Sequence, residues 1–247
     1  MSIYYGVNEF WSQVGLFVSQ RISQLSIKDL GELRSSLSAV YESVILAEGV
    51  NARLLSHFVY CPGNESMTGK EAGFLGAHIT NMTGFKTFLS RLEGDVLGCM
   101  SSRHKDKQEI DFPEPSFEIG GSNILAIEQF WINVHLLTLE GIGESSIDDL
   151  IHFNRALNVV SSAAHGAEVV TGEILGKGKF WPRREKLSTE DVFFMGSGLA
   201  NMTELRSFLA HVEEAITLKG WIESTGERDI DFAATPSHVP TSTQGGV

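Results

Sequence analysis

The sequence is short of cysteine and of long apolar runs, and each shortage excludes a class of protein. Cys61 and Cys99 are the only two cysteines in 247 residues, too few for a small disulfide-stapled scaffold. No stretch reaches the roughly 18 to 20 apolar residues that span a bilayer, and the N-terminus lacks the basic start and apolar centre of a signal peptide. We therefore expect a cytoplasmic protein without a membrane segment.

Positive charge is also scarce. The chain has 19 Lys and Arg residues against 31 Asp and Glu residues, a formal net charge of −12. Such a surface repels phosphate backbones and anionic lipids, so nucleic acid and membrane are not expected partners. Hydrophobic residues at 42% and charged residues at 20% are typical of a chain that folds.

The sequence contains none of the familiar catalytic signatures. We find no Gly-x-Ser-x-Gly, phosphate loop, Rossmann glycine pattern, His-Glu-x-x-His or Cys-x-x-Cys. An enzyme is therefore the less favoured class, and we assign no catalytic residue, no cofactor and no metal ligand.

What the sequence does contain is an internal repeat, in which residue n matches residue n+120. Identical blocks recur at this one spacing: Phe10-Trp11 with Phe130-Trp131, Ser26-Ile27 with Ser146-Ile147, Asn81-Met82-Thr83 with Asn201-Met202-Thr203, and Ile110-Asp111-Phe112 with Ile230-Asp231-Phe232. A constant offset without gaps is typical of a duplicated unit. We divide the chain into a first repeat at 1–120, a second at 121–240 and a flexible tail at 241–247.

Each repeat has three segments with helical periodicity. The first spans about residues 5–24, the second starts after Ser26 or Ser146 as N-cap, and the third follows a cap at Thr68 or Ser188. Their apolar residues step by three and four, for example Leu30, Leu33, Leu37 and Val40. Short connections favour antiparallel neighbours. We predict an all-α protein, a tandem duplication of a three-helix unit that forms a pseudo-twofold six-helix bundle.

Small and polar residues of the second and third helices have two interpretations. Gly49 is a candidate kink or close-packing point in the second helix. Asn81 and its counterpart Asn201 either are paired binding groups that face a common cleft or serve helix packing through hydrogen bonds, in which case Gly76 and Gly196 permit close helix approach. We favour packing.

A metal centre in the bundle is a second hypothesis. Helical bundles build such sites from Glu and His, and the candidates are Glu48, Glu168, Glu213 and His165. However, no Glu-x-x-His occurs on these helices and the counterpart of His165 is Ile45, so we expect solvated or paired glutamates.

A third hypothesis places an apolar ligand between the repeats, where it would be lined by Phe85, Phe88, Met82 and Met202, although such residues are more often plain core.

The clearest difference between the repeats lies between their second and third helices. The first repeat has HFVYCPGNESMT there, without Lys or Arg, whereas the second has KGKFWPRREKLS. Aromatic and arginine side chains are the usual anchors of protein interfaces. The predicted partner-binding residues are Lys179, Phe180, Trp181, Arg183 and Arg184; the plainer alternative is an exposed loop whose aromatic residues pack on the bundle.

These observations favour a noncatalytic protein that binds another protein or itself. It would be an inhibitor or immunity-type protein, an adaptor or a subunit of an assembly, built from a duplicated helical unit. The alternative is a metal-dependent helical-bundle enzyme or a small-ligand binding protein.

Overall fold

A computed structural model describes residues 3–60, 68–104, 122–177 and 189–225. Within these ranges the chain forms six α-helices and no strand, which confirms the all-α class and the helical bundle. The helices are α1 (Ile3–Ile22), α2 (Ile27–Tyr60), α3 (Gly69–His104), α4 (Ser122–Glu144), α5 (Ile147–Lys177) and α6 (Thr189–Thr225). None of the described helices is long and apolar enough to cross a membrane.

The long helices α2 and α5 begin where the sequence predicts. The Asp29 amide donates to Ser26 Oγ at 3.1 Å, and the Ser26 amide donates back to Asp29 Oδ2 at 3.2 Å. This reciprocal cap satisfies two amides at the helix start. In α5 the Asp149 amide donates to Ser146 Oγ at 3.2 Å. The two caps fix where the chain turns back after α1 and α4.

The helices α1, α3, α4 and α6 run in one direction. Contacts between α1 and α3 advance together along both helices, from Trp11 with Asn81 to Ser19 with Asp95. Contacts between α1 and α4 do the same, from Trp11 with Trp131 to Arg21 with Glu144. The connections before and after α2 and α5 are too short to span a helix length, so α2 and α5 run in the opposite direction.

The two halves of the chain share one hydrophobic core rather than enclosing one each. A single cluster of buried residues draws on all six helices. The middle helices contact the third helix of their own half, α2 with α3 and α5 with α6, and they also contact the other half, α2 with α4 and α6 and α5 with α1 and α3. The middle helix of each half therefore packs against the first and third helices of the other half.

Aromatic rings form the centre of this shared core. Phe10 stacks on Phe153 with ring centroids 5.3 Å apart, and Phe85 stacks on Trp131 at 5.3 Å. Both contacts join residues of different halves. Phe10 and Phe130 are fully buried, as their place in the predicted apolar stripes requires.

The glycines expected to bring helices together are not the ones that do so. A Cβ added at Gly49, Gly76 or Gly196 would meet no atom within 4 Å, so the predicted close packing there is wrong. At Gly84, by contrast, a Cβ would lie 2.6 Å from Val7 Cγ1 and 2.9 Å from Trp11 Cδ1. Close approach of α1 and α3 depends on that glycine.

Candidate functional site

The predicted partner-binding residues Lys179, Phe180, Trp181, Arg183 and Arg184 lie outside the described residues. The described helices end before them at Lys177 and resume after them at Thr189. Their role stays a prediction.

The repeated asparagines serve the packing of the core. Trp11 Nε1 donates to Asn81 Oδ1 at 2.9 Å, and Trp131 Nε1 donates to Asn201 Oδ1 at 2.8 Å. All four side chains are buried, and a buried indole N–H needs an acceptor. The predicted hydrogen-bonding role of Asn81 and Asn201 is confirmed.

The repeated glutamates are paired with basic side chains. Lys86 contacts the Glu48 carboxylate and Arg206 contacts the Glu168 carboxylate, each from the following helix of the same half. Glu213 and His165 are exposed. The described residues hold no group of three or more His, Cys, Asp or Glu side chains arranged to bind a metal ion, and Glu48, Glu168, His165 and Glu213 therefore do not converge.

The residues proposed to line an apolar ligand belong to the core. Phe85, Phe88, Met82 and Met202 are each 5% exposed or less, and the first three lie in the single core cluster. Phe85 fills the space between the halves by packing against both Trp11 and Trp131. Phe85 also stacks on Phe88, so the two rings fill the core, as the plainer interpretation expected.

A different group of polar residues lies where α4 packs against α6, which we call the α4–α6 seam. The rings of His135 and His211 lie 4.9 Å apart with their planes at 54°. Burial, with a smaller effect from His211, lowers the pKa of His135 to about 4. Earlier in the seam, burial raises the pKa of Glu204, and the nearby Glu128 carboxylate raises it further.

Sequence reasoning missed this group, although the repeat contains a signal for it. The counterparts in the first half are Asn8 for Glu128, Gly15 for His135, Gly84 for Glu204 and Arg91 for His211. The same helix crossing is therefore built without a histidine pair or a carboxylate pair. A column-by-column comparison of the two halves at titratable positions would have found the seam.

The outward side of α4 is apolar. Leu125, Ile132 and Leu136 are 68%, 51% and 47% exposed, and their spacing of seven and four residues places them on one side of the helix. We call these three residues the α4 face. The helix carries Glu128, Glu140 and Glu144 but no Lys or Arg, so the face has only acidic charges near it on its own helix.

One further histidine is enclosed in the bundle. His78 on α3 is 3% exposed, its Nδ1 has no hydrogen-bond partner, and burial lowers its pKa to about 4. Its counterpart in the second half is Gly198. His78 is therefore neutral at physiological pH, and it has no access to solvent.

Comparisons of the chain with models of protein families, with curated proteins and with solved structures find no match.

Proposed function

We propose that this protein is a noncatalytic interaction protein that binds another protein or further copies of itself. The observation that carries the proposal is the α4 face, three large apolar side chains that are exposed on one side of the same helix. Scattered exposed apolar residues are ordinary, whereas adjacent ones mark interaction surfaces. The charges on α4 are acidic, and Glu140 and Glu144 share a single arginine, Arg21 of α1. We therefore expect the complementary surface to be apolar with basic residues at its rim.

The interior of the described bundle supports the same function. Its centre is filled by stacked aromatic rings, and the repeated polar residues are used in hydrogen bonds and ion pairs. Small-molecule chemistry needs a concave site with convergent polar groups. The described core instead uses its side chains for packing.

The test compares two surfaces and a matched control. Ile132→Lys with Leu136→Lys places charge on the α4 face, and Phe180→Ser with Trp181→Ser removes the aromatic residues of the predicted binding loop. The control, Ser12→Lys with Leu16→Lys, changes the corresponding positions of α1, where Leu16 is 55% exposed. The changes on α4 and α1 are at exposed positions, so we expect them to have a small effect on folding.

The readouts are the mass of the purified protein by light scattering and the proteins retained on it from its source cells. We expect a complex, either with itself or with a retained protein, that the α4 variant weakens at least about tenfold. The control variant should leave that complex intact. A strictly monomeric wild-type protein that retains no partner would contradict the proposal, and loss of binding in the loop variant alone would move the interface from α4 to residues 179–184.

We also infer that the chain arose by tandem duplication and has a pseudo-twofold axis. Equivalent contacts support this: the Trp11–Asn81 and Trp131–Asn201 hydrogen bonds, and the ion pairs of Glu48 and Glu168. The principal contacts of α1, α2 and α3 are also matched by those of α4, α5 and α6. Both repeats expressed as separate chains should reassemble, and failure of the mixture to regain helical structure would count against the idea.

A cytoplasmic location is part of the same proposal. It is supported by the free, half-buried thiol of Cys99, which suits a reducing compartment. The net charge of −12 supports a protein partner over nucleic acid.

A further inference from the structure

His135 and His211 face each other across the α4–α6 seam in a defined arrangement. Trp131 and Asn201 hold the helices together on one side of the pair, with Nε1 and Oδ1 2.8 Å apart. On the other side, Lys219 Nζ donates to the Gly143 carbonyl oxygen at 2.5 Å. The edge of His135 also rests against Phe208, with ring centroids 6.4 Å apart. Contacts between α4 and α6 therefore lie on both sides of the two imidazoles.

The separation of the rings is that of two imidazoles on one metal ion. A Zn–N bond of 2.0–2.1 Å places the ring centre about 3.2 Å from the metal. Two such rings have centres about 5.2 Å apart at a tetrahedral angle and about 4.5 Å apart at a right angle. The observed 4.9 Å lies between these values, so the spacing of the rings is compatible with one shared ion.

The ring atoms of the pair also suit a metal ion, because neutral imidazole nitrogen is a common metal ligand. The Nδ1 atom of His135 is buried without a hydrogen-bond partner among the described residues, so Nε2 is the ligand atom that we assign to this ring. His211 is exposed, so water can occupy the remaining coordination positions.

The first half shows that the fold does not need the pair. At the corresponding crossing of α1 and α3 stand Gly15 and Arg91, and a Cβ at Gly15 would make an ordinary contact of 3.7 Å with Phe88 Cδ2. The equivalent helices pack without imidazoles, so packing alone does not account for two histidines in the seam.

We propose that His135 and His211 form a two-histidine site for a divalent transition-metal ion, of the class of Cu²⁺, Ni²⁺ or Zn²⁺. Imidazole suits these ions, and Cu²⁺ is the tightest of the series. Since the described residues offer no third His, Cys, Asp or Glu ligand, the ion keeps water ligands and exchanges readily. The half-buried Glu128 and Glu204 carboxylates lie earlier in the seam, each seven residues before the histidine on its own helix, and negative charge there favours a bound cation.

The experiment adds Cu²⁺ alone, or Zn²⁺ alone, to metal-free protein without an affinity tag. We expect one ion per chain, with coupling to two imidazole nitrogens in the electron paramagnetic resonance spectrum of the Cu²⁺ form. Removing a second-shell partner costs about 10–100-fold in metal affinity, so His211→Ala, which removes a ligand, should weaken binding at least about tenfold and leave one nitrogen. His165→Ala, a change at an exposed histidine on α5, should change neither the affinity for the metal ion nor the number of coupled nitrogens.

A gain of function completes the test. Gly15→His with Arg91→His places the pair at the matching crossing of α1 and α3, and we expect the stoichiometry to rise from one ion to two. Absence of Cu²⁺ binding by wild type, or unchanged affinity and coupling in His211→Ala, would overturn the proposal. Because His211 is on the surface, that variant is expected to fold, and its helical circular dichroism confirms that the comparison is valid.

Discussion

The α1–α3 and α4–α6 seams solve the same packing problem with different side chains. Both hold a buried tryptophan by an asparagine, with distances of 2.9 Å and 2.8 Å. The first seam then uses Gly84 for close contact, where the second has Glu204. The positions shared by the seams maintain the fold, and the positions that differ are free to acquire other roles.

The largest expected effect tests whether both halves depend on one core. Phe10 and Phe130 are 0% exposed, and truncating a buried phenylalanine costs about 3–5 kcal/mol. Phe10→Ala and Phe130→Ala should each lower the free energy of unfolding by this amount. In urea, fluorescence and circular dichroism should report one coincident transition. Two transitions, each sensitive to only one variant, would show that the halves unfold separately.

The next largest effect is the pH dependence of stability that follows from the buried His78 of the first half. The unfolded chain binds a proton at His78 near pH 6.5, whereas the folded chain does so only near pH 4. The unfolded state therefore carries more protons in this window, and stability falls as the pH is lowered through it, by up to about 3 kcal/mol at His78.

The measurement is the free energy of unfolding near neutral pH and near pH 4 for wild type, His78→Phe and His165→Gln. The difference between the two pH values should shrink in His78→Phe and stay unchanged in His165→Gln. Using this difference removes any cost of the substitution that is independent of pH. An equal pH dependence in all three proteins would contradict a buried neutral His78.

The tryptophan–asparagine bonds should be equivalent in strength. Asn81→Ala and Asn201→Ala each leave a buried indole N–H without its acceptor, at a cost of about 1–3 kcal/mol. Denaturant titrations at neutral pH should give similar losses for the two variants. A loss confined to one of them would mean that the seams differ in their common part as well as at their variable positions.

The smallest predicted changes in the free energy of unfolding come from the equivalent positions Gly84 and Glu204, and they have opposite signs in the two seams. Gly84→Ala overpacks against Val7 and Trp11, and the usual cost of about 1–3 kcal/mol is partly offset by the higher helix propensity of alanine. Glu204→Ala should stabilise at neutral pH by less than about 1 kcal/mol, since its side chain is partly solvated. The raised pKa of Glu204 means that its ionised form is the one the fold disfavours.

Thermal unfolding of both variants at neutral and at acidic pH is the check. The gain from Glu204→Ala should vanish in acid, where the carboxyl group is protonated in both states. If Glu204→Ala destabilises as much as Gly84→Ala, then Glu204 makes a favourable contact that outweighs its burial.

The sequence predicts the elements of this fold better than their partners. Apolar periodicity locates the buried side of each helix, and Ser26 and Ser146 mark two helix starts that the structure confirms. Periodicity does not say which helix covers that side. The packing of α2 on α4 and α6, and of α5 on α1 and α3, therefore could not be derived, and neither could the contact that makes Gly84 necessary.

The candidate metal site could not be predicted for the same reason, because it depends on which helices pack together. His135 and His211 are 76 residues apart, as are Lys219 and Gly143, and only the parallel register of α4 and α6 brings either pair together. A short sequence motif carries no information about how two distant helices align with each other. Glu48 and Glu168 looked suitable as metal ligands because they recur, but recurrence reflected their ion pairs with Lys86 and Arg206.

The packing of α2 and α5 on helices of the opposite half has a consequence for how the protein folds during synthesis. On the ribosome, α1, α2 and α3 emerge before α5, which α1 and α3 need as a cover, and chains grow at about 5–20 residues per second. The α3 contacts of α1 and α2 can form early, but Phe10 waits several seconds for Phe153 of α5, on which it stacks in the native core. We therefore expect the nascent chain to expose apolar surface of the kind that chaperones bind until Lys177 at the end of α5 has left the exit tunnel.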